Sequence, residues 1–197
     1  MQVAIIKYNA GNIYSVDCAL KRVGVDAVIT DDEEVLKSSD KIIFPGVGEA
    51  ASTMHYLRQK SLDKLIKSFT QPVLGICIGM QLMCRHSEEG DVDCLNIFDV
   101  DVKRFCPMKN EKIPHMGWNS LHLQNNGRLF QGIPEDTYVY FVHSYYVPVT
   151  AYCIATCDYQ CSFAAAICKN NFYGCQFHPE KSAGAGEKII KNFLDIV

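Results

Sequence analysis

The chain has 197 residues, with 48% hydrophobic and 21% charged residues, a balance ordinary for a globular domain with a substantial core spanning 1–197. A formal net charge of −3 argues against nucleic acid as a partner. No run of eighteen apolar residues marks a membrane span.

The N-terminus reads as a first strand, without the basic start and cleavage site of a signal peptide. Val3 to Ile6 are apolar and suit a buried strand. Asn9 to Asn12 form a turn signal, with Asn12 placed to cap the next helix. Ile13, Val16, Ala19, Leu20 and Val23 recur at helical spacing, and Gly24 can end that helix. Val25 to Thr30 read as a second strand. Asp31 to Glu34 read as a solvated helix start rather than a metal site. Lys41 to Phe44 predict a third strand, running into Pro45-Gly-Val-Gly48. Helical stretches follow, then a fourth strand over Val73 to Ile76. Strands alternating with helices predict a mostly parallel α/β sheet covered on both faces. Active sites of such sheets lie beyond the C-terminal strand ends, an edge that Phe44 and Ile76 can share.

The second half changes character. Short strands are predicted over Val100–Phe105, Ser120–Leu123, Thr137–Val142, Tyr152–Thr156, Phe163–Cys168 and Phe172–Phe177. Asn170-Asn171 is a hairpin signal. A closing helix is expected from Gly186 to Ile196. No linker, repeat or low-complexity segment divides the chain. Its ten cysteines are scattered, and the chain is too large to need a disulfide framework. Free thiols in a reducing cytoplasm are the expectation.

Chemistry concentrates at Gly75-Ile-Cys-Ile-Gly79. Taken alone, Cys77 reads equally as core filler or nucleophile. Glycines at both second neighbours favour a sharp strand-to-helix turn that exposes the thiol. A helix N-terminus at that point favours thiolate. A base and an orienting carboxylate are available at Gln176-Phe-His-Pro-Glu180. Pro179 holds His178 extended. Glu180, two residues on, returns to the same side of an extended chain, where it can orient the imidazole.

Other constellations are weaker. Cys153, Cys157 and Cys161 lack a C-x-x-C pair and interleaved histidines, so no metal is expected there. Ser182 to Lys188 resembles a phosphate loop only in its glycines and reads as a helix lead-in. Tyr138 and Tyr140 read equally as core aromatics or as a site wall. Trp118, between Gly117 and Asn119, reads as exposed in a loop and suited to an interface.

The two catalytic stretches, with Phe44-Pro-Gly-Val-Gly48, resemble the signatures of the class I (triad) glutamine amidotransferases. The resemblance covers nearly the whole chain. It implies a flavodoxin-like, mostly parallel central sheet flanked by helices, with extra antiparallel strands in the second half. It also implies a catalytic triad of Cys77, His178 and Glu180, an oxyanion hole from Val47, Gly48 and Ile78, and no cofactor or metal. Glutamine would be held by Gly46, Gly48, Gln81, Ser144 and Tyr145. Tyr8-Asn-Ala-Gly-Asn12, Pro114-His-Met-Gly-Trp-Asn119 and Tyr140-Phe-Val-His-Ser-Tyr-Tyr146 narrow the resemblance further. They are similar to the members that serve histidine biosynthesis as the glutaminase subunit of a heterodimer, delivering ammonia to a separate (β/α)8 cyclase. Asn12, Trp118, Tyr140 and Lys181 match the partner-facing positions. A related glutaminase feeding another synthase, for example one amidinating a surface sugar, carries the same catalytic stretches.

Overall fold

The computed structural model describes residues 1–8, 13–46, 48–106, 112–124 and 127–196. Asn12 and Val47 lie outside the described residues.

In the first half, strands β1 (Val3–Ile6), β2 (Ala27–Thr30), β3 (Lys41–Phe44) and β4 (Val73–Ile76) alternate with helices. The helices are α1 (Ile13–Arg22), α2 (Glu33–Ser38), α3 (Ala50–Gln59), α4 (Leu62–Lys67) and α5 (Ile78–Leu82). β1, β3 and β4 are buried along their whole length, as strands covered on both faces must be. Asp32 caps α2 through the Val35 N–H, with Glu33 and Glu34 in the first turn, so the acidic run is a helix start. The second strand begins two residues later than expected. Val25 donates its N–H to the Leu20 carbonyl and is consumed in closing α1.

Four two-residue strands and six longer ones follow. They are β5 (His86–Ser87), β6 (Val92–Asp93), β7 (Asp101–Arg104), β8 (His115–Ser120), β9 (His122–Leu123), β10 (Tyr138–His143), β11 (Tyr145–Tyr146), β12 (Cys153–Tyr159), β13 (Cys161–Lys169) and β14 (Phe172–Cys175). The chain ends in α6 (Ala183–Leu194). The main sheet has eight strands in the order β2-β1-β3-β4-β14-β13-β12-β9. Its first five strands are parallel, and β13, β12 and β9 extend it antiparallel. β10 pairs with β8 in a separate ribbon, and β11-β7-β5-β6 form a small third sheet. Asn170, at φ +54, and Asn171 make the two-residue hairpin between β13 and β14.

Odd and even positions of β1 point to opposite faces. Ala4 and Ile6 pack with α2 to α5, while Val3 and Ile5 pack with α1, α6 and the β8–β10 ribbon. This two-sided cover places the ends of β3, β4 and β14 side by side at one edge.

Three expectations need correction. The stretch around Trp118 is strand β8, not a loop, because its backbone pairs with β10 from Ser120 to His115. Tyr138 and Tyr140 are neither core nor site wall: they sit on the outer face of β10, opposite buried Val139, Phe141 and His143. The helix lead-in at Ser182 is itself helical from Ala183.

Candidate active site

Cys77 stands at the apex between β4 and α5 with φ +51 and ψ −110. A non-glycine residue in that region carries about 1–3 kcal/mol of strain and persists only where its surroundings over-determine it. Here the Cys77 N–H donates to the Cys175 carbonyl at 2.7 Å, tying the apex to β14. The glycine loop presses from the other side. A Cβ on Gly46 would lie 1.8 Å from the Ile76 carbonyl oxygen and 2.6 Å from the Ile78 nitrogen, and one on Gly79 2.2 Å from the Phe44 carbonyl oxygen. Only glycine lets these two backbones meet, and this explains the glycines better than turn flexibility does. Gly46→Ala should therefore displace the elbow. It is expected to cost roughly 1–3 kcal/mol of stability and most of the activity, measured by thermal denaturation and steady-state rates. A variant with wild-type values in both would show that the loop does not pack as described.

His178 and Glu180 are both buried, with His178 Nδ1 2.7 Å from Glu180 Oε1. Glu180 arrives by a route other than the one expected. The chain leaves His178 extended but folds into a 3₁₀ turn over Pro179–Lys181. Ser182 holds that turn, its Oγ donating to the His178 carbonyl at 2.6 Å and accepting the Tyr140 N–H at 3.0 Å. The His178 N–H donates to the Tyr140 carbonyl at 2.9 Å. Burial alone would lower the pKa of His178. The Cys77 sulfur and the Glu180 carboxylate outweigh burial and push it up to about 10. The ring is thus an imidazolium at neutral pH.

Cys77 opens into a cavity of about 250 Å³ lined by residues that include Gly48, Ile78, Gln81, Ser144 and Tyr145. Five of the residues expected around glutamine or its oxyanion are thus brought together with the thiol. Gly46 is not among them: it is buried behind the elbow. Gly48 has φ +121, in the region open to glycine. Ile78 begins α5, so its N–H is one of the first-turn donors with no partner inside the helix.

Sequence reasoning missed several wall residues. Glu89 lines the cavity and accepts the Ala50 N–H at 3.0 Å, and burial raises its pKa. Gln176 is fully buried, its amide nitrogen 3.7 Å from Cys77 Sγ. Gln81 Nε2 donates to Gln176 Oε1 at 2.8 Å and to the Tyr145 carbonyl at 2.9 Å. Nothing in the sequence links Glu89 to Cys77. Gln176 was within reach, as its motif neighbour His178 was already in view.

A surface patch flanks the site. Trp118 is 51% exposed, with Met116 at 66% and Tyr138 at 61%. The Trp118 and Tyr140 rings meet edge to face at 6.1 Å, and Lys181 Nζ sits 5.9 Å above the Tyr140 ring. Met116 and Tyr138 enlarge the expected interface set, for a reason that strand pairing supplies: outward residues of β8 and β10 share one face.

The family model for glutamine amidotransferase class-I matches residues 4–197. A solved structure of a glutamine amidotransferase superposes with a TM-score of 0.75 at 16% identity, covering 99% of this chain and 98% of that one. The chain is also similar to two curated proteins named imidazole glycerol phosphate synthase subunit HisH, over the full length of each. The one from Bacteroides thetaiotaomicron is 64% identical and the one from Escherichia coli K12 is 48% identical. The chain belongs to the class I glutamine amidotransferases, in the family of these HisH subunits.

Proposed function

We propose that this chain is the glutaminase subunit of an imidazole glycerol phosphate synthase, with Cys77, His178 and Glu180 as its catalytic triad. One observation carries the site assignment: a cysteine at a positive-φ apex opens into the cavity beside a buried His178–Glu180 pair that keeps the imidazole protonated. Cys77 thiolate attacks the glutamine carboxamide. His178 gives its proton to the departing nitrogen, releasing ammonia and leaving a glutamyl thioester. Water then attacks the thioester, His178 takes the proton, and glutamate leaves. Ile78 N–H and the Val47–Gly48 backbone are the donors for the oxyanion, each worth about 3–4 kcal/mol in comparable sites. Gln81, Ser144 and Tyr145 hold the substrate, and the Glu89 carboxylate suits its ammonium group.

Free ammonia is protonated in water, so it must pass directly to a partner. The partner is a cyclase chain with a (β/α)8 barrel, which turns the ammonia into imidazole glycerol phosphate and an aminoimidazole carboxamide ribotide. The exposed patch of Met116, Trp118, Tyr138 and Tyr140, with Lys181 beside it, is its docking face. No described helix is long and apolar enough to cross a membrane, in keeping with a cytoplasmic pathway enzyme.

The test is reconstitution. The chain mixed with the cyclase subunit should form a heterodimer with glutamine-dependent turnover, and glutamine hydrolysis should be far slower without the partner. An isolated chain already at full speed, or a cyclase that neither binds nor accepts its ammonia, would overturn the assignment. Trp118→Ala should weaken docking by about 10- to 100-fold and leave thermal stability near wild type, because half of the ring is in solvent. Unfolding of that variant would place the ring in the structural core instead.

A further inference from the structure

His115 and His143 are both buried and take no part in the chemistry above. They lie opposite each other in the β8–β10 register, with His115 Nδ1 3.0 Å from His143 Nε2. His143 Nδ1 lies 2.8 Å from the Tyr145 carbonyl oxygen. A carbonyl only accepts, so His143 Nδ1 carries a proton. His143 Nε2 then accepts, and His115 Nδ1 must donate. His115 Nε2 is left as an acceptor, 3.4 Å from Asn119 Nδ2. Asn119 is oriented by its own contacts, donating to the Asp158 carbonyl at 3.0 Å and accepting the Ser120 N–H at 2.8 Å. Every bond therefore runs one way, from Asn119 through both rings to Tyr145.

We propose that His115 and His143 are positioning residues of the glutaminase site: a neutral, one-directional hydrogen-bond relay that fixes the Val142–Tyr145 wall around the Cys77 thiol. The wall needs fixing. The Val142 carbonyl lies 3.8 Å from Cys77 Sγ, and the Tyr145 carbonyl accepts from Gln81 as well as from His143. Gln81 in turn holds Gln176, whose amide faces the sulfur. Both rings must stay neutral, because a proton on His143 Nε2 would confront the His115 donor. Burial supplies that neutrality, lowering His115 to about 4 and His143 to about 3; for His143 it outweighs the Tyr145 carbonyl, which favours the charged ring, and the nearby His115 and His178 add to the lowering. Aromatic packing holds His115 in place: it stacks on Tyr159 at 4.0 Å and on Phe141 at 4.8 Å between ring centroids. The relay starts on the inner face of β8, whose outer face carries Met116 and Trp118.

Nitrogen NMR of the wild-type chain tests the relay without any assay. In water the Nε2–H form of neutral histidine prevails. Here both rings should show the Nδ1–H form and keep it across the range where an ordinary histidine, pKa about 6.5, changes charge. An Nε2–H tautomer at either ring, or ordinary titration, overturns the proposal. Kinetics test its purpose and rest on the proposed function. In the complex with the cyclase, His115→Phe keeps the stacking and removes the donor. Glutamine-dependent kcat/KM should fall about 10- to 100-fold, while turnover with added ammonia is unchanged. His115→Asn, which restores a donor at the Nδ1 position, should recover most of the loss. A fully active His115→Phe, or equal losses in both variants, would reduce the pair to packing. A complex inactive even in wild type would count against the function and leave the tautomer result standing.

Discussion

Cys77→Ser is expected to abolish glutamine-dependent synthesis, with a fall of at least about 10⁴-fold, while the complex still turns over on added ammonium salts at high pH. Losing a triad nucleophile elsewhere costs even more than that. A serine hydroxyl is far less acidic than a thiol, so the His178 imidazolium cannot hold it as the anion. The elbow geometry is untouched, because serine and cysteine differ in one atom and both must accept φ +51 at this apex. Ammonia-dependent turnover is the control that separates chemistry from folding and docking, since it bypasses the thiol altogether. Normal glutamine-driven turnover by the variant would remove Cys77 from the mechanism.

His178→Ala should be nearly as damaging, and Glu180→Ala less so by roughly 10- to 100-fold, as in other triads. The histidine moves protons in both half-reactions, whereas the glutamate orients the ring and favours its charged form. The pH dependence of stability follows from the same pair. His178 is raised to about 10 in the folded chain from about 6.5 unfolded. The stability its charge confers is complete below pH of about 6.5 and is lost as pH rises through about 10. The gap in melting temperature between wild type and His178→Ala should therefore narrow over that alkaline interval. A gap that widens with pH would mean that the ring is neutral in the folded protein. A Glu180→Ala enzyme as fast as wild type would remove the carboxylate from the triad.

Local signals determined the parts of this protein that depend on neighbours in the chain. Apolar runs marked the buried parallel strands β1, β3 and β4, and Asn170-Asn171 marked a hairpin. The glycines at 75 and 79 marked an elbow around Cys77, although what requires them is close packing, since a Cβ on Gly79 would lie 2.2 Å from the Phe44 carbonyl oxygen and one on Gly75 2.8 Å from the Gly79 carbonyl carbon. Tertiary structure decided what distant segments do to one another. Glu180 reaches His178 through a 3₁₀ turn held by Ser182 rather than along an extended strand. Gly46 serves the elbow by being absent from a space that Ile76 and Ile78 occupy. Glu89 joins the cavity from a segment with no motif of its own. The outward alternation of Met116 and Trp118, like the facing of His115 and His143, exists only once β8 pairs with β10. Register between strands is set by the packing of whole faces, and no window of sequence short enough to read by eye contains it.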